Sequence, residues 1–297
     1  MSDTLIEPPL LLDPTVEAKA PVVSRRKSTA IGWIRKPGLV IPVLIVLLAI
    51  GFAVAPGFFA SGDPLSGVPA DKLQGPSLAH WFGTDNLGRD LYTRFVHGAA
   101  LSLTATLVAV GIALVAGSII GLLAGFVGGV VDAVLMRIVD VLLSIPALLL
   151  SLALVTALGF GTINVAIAVG VSMVANFARV MRAEVMRVRG AQYVEAAFSS
   201  GVQWLGVLRR HVLPNSYAPV VALSAVEFGQ AVLAVSALSF LGFGAVPPTP
   251  EWGSLVSEGR NFLANAWWMT TLPGLAIVAV VISAHRIGHE IERNNRR

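Results

Sequence analysis

Long apolar runs alternate with short polar segments along most of this chain. The runs lie near Leu39–Phe59, Leu101–Phe126, Ala133–Ala157, Asn164–Met181, Tyr217–Leu241 and Thr271–Ile287. About 20 helical residues cross a ~30 Å hydrocarbon layer, and lipid offers no hydrogen-bond partner to an open backbone. Each run therefore predicts a transmembrane helix, and the predicted fold class is an all-α integral membrane protein with six transmembrane helices. On this pattern residues 1–36 form a basic tail and 37–60 the first span. An outer loop follows over 61–100, then a core of five spans over 101–287 interrupted by a polar loop at 184–214, and a tail over 288–297. Pro8, Pro9, Pro14 and Pro21, with no apolar period around them, predict a disordered N-terminal tail. Ser24-Arg25-Arg26 is the start of a twin-arginine pattern and Ala53-Val54-Ala55 fits a cleavage site. Pro56 would follow the cut, however, and the apolar run is span-length, so the segment is expected to remain as an uncleaved anchor.

Composition agrees: 55% of the 297 residues are hydrophobic and 13% charged, with a mean hydropathy of +0.78. Globular proteins carry about 25% charged residues, so lipid is the solvent for much of this surface. Cysteine is absent, which excludes disulfides, thiolate metal sites and cysteine nucleophiles. The net charge of +4 follows membrane topology, and nucleic acid is not an expected partner. With the N-terminus cytosolic, only Lys72, Arg89, Arg94 and Arg260 of the 21 Lys and Arg residues fall outside. The positive-inside rule then puts both termini and the 184–214 loop in the cytosol.

Two features inside the spans carry chemistry. Ala105, Ala109, Ala113, Gly117, Gly121, Gly125 and Gly129 recur at every fourth position of the second span, a ridge for close helix packing, either within one subunit or at a moving interface. In the fifth span, Ser224, Glu227, Ala231 and Ala234 share a face, with Gln230 beside Glu227. A carboxylate at that depth costs on the order of 2.5–3.5 kcal/mol unless it meets water or a partner. Ser224, Glu227, Gln230 and Ala231 are therefore expected in a polar translocation pathway, the alternative for Glu227 being a hydrogen bond to a neighbouring helix. Arg137 and Asp140 predict a local i,i+3 ion pair. Trp267 and Trp268 suit an aromatic belt at the bilayer surface. Pro247, Pro248, Glu251 and Trp252 suit an outer gate or a contact with an outer partner.

The polar loop reads Glu195-Ala196-Ala197, then Gly201, then Leu213-Pro214. Tyr193–Ser200 predicts a short helix ended at Gly201, and Val202–Val212 a second one stopped by Pro214. Small Ala196 and Ala197 leave room for a partner and Glu195 offers it a charge. This is a cytosolic elbow that another protein can grip.

Glu195-Ala196-Ala197-x3-Gly201-x11-Leu213-Pro214 resembles the coupling motif of binding-protein-dependent ABC importer permeases. Three further stretches are similar to the dipeptide/oligopeptide/nickel group, specifically its C-type subunit. They are Gly83-Thr84-Asp85-x-x-Gly88-Arg89-Asp90, Met136-Arg137-Ile138-Val139-Asp140 and Pro247-Pro248-Thr249-Pro250-Glu251-Trp252-Gly253. The resemblance covers roughly residues 35–290. His211 stands where the broad motif has an apolar residue, and Arg286-Ile287-Gly288-His289 departs from the group's usual Gly-Asp ending. The resemblance implies a type I (MetI-like) importer permease fold in the inner membrane. It assigns ATPase coupling to Glu195, Ala196, Ala197, Gly201, His211, Leu213 and Pro214. It further implies a heterodimer with a homologous permease subunit, two ATP-binding subunits and an extracytoplasmic solute-binding protein. ATP and Mg would be held by the partner ATPases and no cofactor by this chain. No Gly-x4-Gly-Lys-Ser/Thr loop occurs in the chain. Peptides are the commonest cargo of the group, while nickel, glutathione-like and D-amino-acid dipeptide systems share its motifs.

Two other classes compete. A secondary transporter would use Glu227 as an ion relay, and would leave the elbow without a purpose. A membrane enzyme would need a reactive constellation, and the chain has neither His-Glu-x-x-His nor Gly-x-Ser-x-Gly. His285 and His289 share a helix face but have no convincing third metal ligand, so the chain is expected to be a non-catalytic subunit.

Overall fold

The computed structural model describes residues 37–295. The tail expected over 1–36, with Arg25 and Arg26, and residues 296–297 lie outside the described residues. The described chain is helical, with no strand beyond one bridged pair, Thr84 and Asp90. Its main helices are α1 (Pro37–Val54), α2 (Leu91–Val127), α3 (Gly129–Ser144), α4 (Ala147–Leu158), α5 (Thr162–Arg189), α6 (Gln192–Ser199), α7 (Leu213–Phe240), α8 (Trp252–Gly259) and α9 (Trp268–Asn295).

Among the described residues four helical stretches are long and apolar enough to cross a membrane: Leu91–Val127, Thr162–Arg189, Trp204–Phe240 and Trp268–Arg293. The α3–α4 pair would make a further crossing, bent by 95°, and Gly38–Val54 is a shorter apolar helix. The straight helix predicted over Ala133–Ala157 is thus corrected to two helices that meet at 95°. Pro146 is responsible. Its ring forces the preceding residue out of the helical region, and Ile145 is extended at φ −95°, ψ 129°.

A second correction concerns α2, which starts at Leu91 and not at Leu101. Asp90 caps it, its carboxylate accepting the Thr93 N–H at 2.7 Å. Its first turns carry Arg94 and His97, which hide the helix from any reading by hydropathy alone.

The small-residue ridge of α2 packs against α5 of the same chain. A Cβ at Gly117 would stand 2.5 Å from Phe177 Cβ. One at Gly121 would stand 2.8 Å from both the Arg182 nitrogen and Met181 Cβ, and one at Gly125 2.9 Å from the Arg182 carbonyl oxygen. Gly170 of α5 returns the contact, its Cβ position lying 2.8 Å from the Ala109 oxygen. Ala105, Ala109 and Ala113 are buried along the same line. Gly129 is not part of the ridge; with Gly128 it forms the turn into α3, at φ +57° and +73°.

Around this contact α7 packs on α5, α2 and α9, and α1 lies against α9 and α2. A core of α2, α5 and α7 side chains, among them Phe177, Met181 and Val235, runs down to Val194, Val207 and Val212 of the elbow. A second core, with Phe52, Phe95, Trp252 and Met269, fills the opposite end. Helices α3 and α4 stand apart: Val139, Ser151 and Val155 are buried, while Ile138, Val141, Leu148 and Leu149 are exposed.

Arg137 and Asp140 do not form the predicted local pair. Asp140 instead meets Arg179 of α5 at 3.1 Å, and Asp132 takes a bidentate pair of hydrogen bonds from Arg182 at 2.5 and 2.6 Å. Packing α3 across α5 turns these carboxylates toward the neighbouring helix. The exposed Arg179–Asp140 pair contributes little on its own, about 0–1 kcal/mol.

Gly121→Val should force α2 and α5 apart and cost roughly 1–3 kcal/mol or more, the range for overpacking a close contact. Gly111→Ala, whose added Cβ meets nothing within 4 Å, should leave stability nearly unchanged. Thermal unfolding of the two variants in detergent distinguishes them, and equal losses would contradict the packing described.

Candidate functional site

The elbow hangs from the bundle by three valines. Val194, Val207 and Val212 are fully buried, while Glu195, Ala196, Phe198 and Gly201 are exposed and Ala197 is half-buried against the core. Helix α6 ends as a short apolar-and-charged knob. The Ser200 hydroxyl donates to the Ala196 carbonyl at 2.8 Å, and the Gly201 and Val202 amides donate to Phe198 and Ala197. Gly201 has φ +79°, the left-handed geometry in which a helix commonly closes on glycine. A Cβ there would touch nothing within 4 Å. Within this chain a substitution at 201 therefore strains only the backbone and leaves its side chain on the exposed face.

The second arm differs from its prediction. Pro214 does not stop a helix: one helical course runs from Trp204 to Phe240. A turn Trp204–Val207 passes into a π-turn at Leu208–Val212 and then into α7. Proline lacks the N–H that would serve the carbonyl of Arg210 and its ring crowds that carbonyl, and a widened turn is one way to accommodate it. The π-turn supplies it immediately upstream. Asn215 Nδ2 donates to the His211 carbonyl at 2.6 Å and Ser216 Oγ to that of Val212 at 2.9 Å. His211 is half-buried, its ring 6.3 Å from that of Tyr193, so it braces the two arms; Leu213 and Pro214 are exposed. Beside them lies a recess of about 630 Å³ lined by Val202, Gln203, Leu205, Gly206, Arg209 and Arg210.

Midway along the bundle a cleft of about 610 Å³ opens between α4, α5 and α7. Ser151, Ser172, Asn176, Glu227 and Gln230 are its polar lining. The Asn176 amide donates to Glu227 Oε1 at 3.2 Å. Gln230 reaches across to α9, its Nε2 lying 3.0 Å from His285 Nε2. Of the pathway residues predicted from sequence, Glu227 and Gln230 line the cleft; Ser224 and Ala231 do not. At about 100° per residue both lie to one side of Glu227, whereas Gln230, Ala234 and Ala237 lie to the other, which faces the cleft. Ala231 is fully buried in the core, and the Ser224 hydroxyl donates to the Val221 carbonyl. Asn176, Ser151 and Ser172 were not found by sequence reasoning. A polar side chain in the middle of an apolar span is the signal that Asn176 offered.

Residues 117–297 match the family of binding-protein-dependent transport system inner membrane components. The dipeptide transport system permease protein DppC of Alkalihalophilus pseudofirmus is 40% identical over 251 residues, 84% of this chain and 81% of the relative. The glutathione transport system permease protein GsiD of Escherichia coli O6:K15:H31 is 39% identical over 246 residues, 82% and 81% of the two chains. The chain belongs to this permease family. A chain of the MetNI methionine ABC transporter, solved in inward-facing conformations, has the same fold, with a TM-score of 0.56 at 19% identity. The match covers 68% of this permease and 95% of that chain. The expected type I importer permease fold is therefore the fold observed.

At the end of the permease opposite the elbow, the sequence prediction needs correction. Pro247 and Pro248 are exposed, but Glu251 and Trp252 are fully buried and present no surface to an outer partner. Trp252 stacks on Phe95 with centroids 5.1 Å apart and rings 5° from parallel, and its indole N–H donates to the Phe95 carbonyl at 3.0 Å. Aromatic area of that size outweighs a solvent contact. Trp268 is likewise buried, its indole donating to the Thr84 carbonyl at 3.2 Å, while Trp267 stays exposed. A charged cluster also lies here: buried Asp85 accepts from Arg89 Nε at 2.6 Å and Arg94 Nη1 at 3.0 Å. Arg94 reaches Glu258 of α8 at 2.5 Å. This cluster ties the 61–90 loop to α2 and α8.

Glu251 sits against α7, accepting from Ser239 Oγ at 2.6 Å and the Ala245 amide at 3.0 Å. Burial pushes its carboxyl above the ordinary value, and these two hydrogen bonds oppose the shift only in part. A carboxyl raised in the folded state holds its proton more tightly there than in the unfolded chain. Its contribution is most favourable below the ordinary carboxylate range and declines as pH rises from the ordinary to the raised value. The melting temperature of the permease in detergent should fall through that window, and less so in Glu251→Gln. Parallel pH profiles for the two proteins would show that Glu251 is not responsible.

Proposed function

We propose that this chain is one permease subunit of an ATP-driven importer of peptides, lining half of the translocation pathway and driven by separate ATPase subunits through the α6 elbow. The observation that carries the reading is the elbow itself. An exposed helix is pinned by Val194, Val207 and Val212, closed at a left-handed Gly201, and joined through the short turn at 200–203 to the helical course Trp204–Phe240 that carries Glu227. Force applied to α6 has a covalent route to the polar cleft. Peptide cargo, in preference to nickel, is supported by the names of the relatives, which include dipeptide and glutathione systems.

In this reading α6 seats in a groove of an ATPase subunit, with Glu195, Ala196, Ala197 and Gly201 at the contact and His211, Leu213 and Pro214 bracing it. The arginines around the elbow belong in the cytosol, and the amino end of α1 shares that end, since Gly38 approaches Arg286 of α9. Both termini are then cytosolic. The exposed apolar faces of α3 and α4 meet lipid or a homologous permease subunit in a heterodimer. The exposed Pro247–Pro248 corner lies where a solute-binding protein would dock. ATP and Mg belong to the ATPases, and this subunit performs no chemistry of its own.

The test is reconstitution of the assembled importer in proteoliposomes, with uptake of a labelled peptide and ATP hydrolysis measured together. Gly201→Leu should lower uptake about tenfold or more while hydrolysis continues. Gly201→Asn, which tolerates the left-handed region, should fall between it and the wild type. Undiminished uptake by the Leu variant would remove the elbow from the mechanism.

A further inference from the structure

The polar lining of the Glu227 cleft is strongly one-sided. Glu227 is the only ionisable side chain among its lining residues, and Asn176 donates to one of its oxygens. The serines point the same way. The Ser172 hydroxyl gives its proton to the Val169 carbonyl, and the Ser151 hydroxyl has the Ala147 carbonyl and Ser172 Oγ as acceptors. Both hydroxyl protons are thus used within the lining, which leaves oxygen lone pairs for a guest. The Asn176 amide nitrogen is turned to Glu227 and that of Gln230 to His285, so each amide retains a carbonyl oxygen as acceptor beside one remaining N–H. The nearest guanidinium along α5, Arg179, is paired with Asp140. A lining of mostly acceptors around one carboxylate, with no cation in it, suits a group with three donors and a positive charge, and repels a second carboxylate.

We infer that this cleft is a subsite for a primary ammonium group, and that it receives the amino end of a peptide in transit. The inference rests on the reading of the cleft as part of the transport pathway. It adds an order to the passage: the amino end enters the cleft and the carboxylate end is kept from it. Apolar residues, among them Ala147, Leu148, Leu233 and Ala234, make up the rest of the wall, so the remainder of the guest meets an uncharged surface.

Because the chain contains no cysteine, a single Ala234→Cys substitution reports on the cleft alone within this subunit. In the assembled importer, its modification is followed by the mass of this chain. The probes are aminoethyl (cationic), sulfonatoethyl (anionic) and methyl (neutral) methanethiosulfonates, each rate divided by that with a free small thiol. The cationic probe should exceed the anionic about tenfold, the ratio for roughly 1.4 kcal/mol. With Glu227→Gln added, that ratio should fall to near one while the neutral rate stays unchanged; Glu227→Asp should keep the preference. A ratio unaltered by Glu227→Gln, or a cysteine that even the neutral probe cannot reach, overturns the subsite. A separate readout tests the underlying reading: once residue 234 is modified, peptide uptake should stop. Uptake that persists after complete modification removes the cleft from the pathway, whatever its charge preference.

Discussion

The contact of α2 with α5 sets the geometry of everything else. In lipid there is no hydrophobic force pressing helices together, so close dispersion contact has to hold them, and this requires backbones to approach. Gly117, Gly121 and Gly125 on one helix and Gly170 on the other remove the side chains that would prevent it. The remaining helices are arranged around that pair. Helix α7 lies along it and thereby places Glu227 opposite Asn176, and the broken α3–α4 segment is carried on its outer side through the Asp132–Arg182 and Asp140–Arg179 pairs.

The two ends of the bundle solve different problems. At the Trp252 end a long loop must be fixed with little secondary structure of its own, one 3-10 turn at Pro69–Asp71 and the Thr84–Asp90 bridge. Buried charges do this: Asp85 between Arg89 and Arg94, with Glu258 joining from α8. Such a cluster is expensive to desolvate and gains little net stability, but breaking one partner would leave the others buried and unpaired, at a cost of about 3–5 kcal/mol. Its effect is to hold one arrangement. The elbow end is built the other way, with a few buried valines and an exposed surface.

Local signals in the sequence were legible and remote ones were not. The elbow was readable because Glu195, Gly201 and Pro214 lie within one short stretch and each has a conformational meaning of its own. Even there the role of Pro214 was inverted, since a π-turn ahead of a proline has no sequence signature. The start of α2 was missed because Arg94 looks like a loop residue until Asp85 and Glu258 are beside it, and Glu258 is 164 residues away. Trp252 was placed outside for the same reason: its stacking partner Phe95 is 157 residues distant. In the cleft, Glu227 stood out as a charge in an apolar run, but its partner Asn176 lies on a different helix. Gln230 and Ala234 share the cleft with Glu227, whereas Ser224 and Ala231 lie to its other side, because helical spacing fixes neighbours and not which neighbour turns inward.

The helical course from Trp204 to Phe240 has a mechanical consequence. Its backbone ladder is loosened at two nearby places, the π-turn over Leu208–Val212 and Pro219, while the stretch beyond them is uninterrupted. Flexure is therefore concentrated close to the elbow, and the distal part swings as a stiff spoke. From Pro219 to Glu227 that spoke measures about 12 Å at 1.5 Å per residue. About five degrees of tilt at its foot becomes a displacement of about an ångström at the carboxylate, enough to take the 3.2 Å Asn176–Glu227 hydrogen bond out of range. Small strokes at the rim are thereby enough to make or break contacts at the axle.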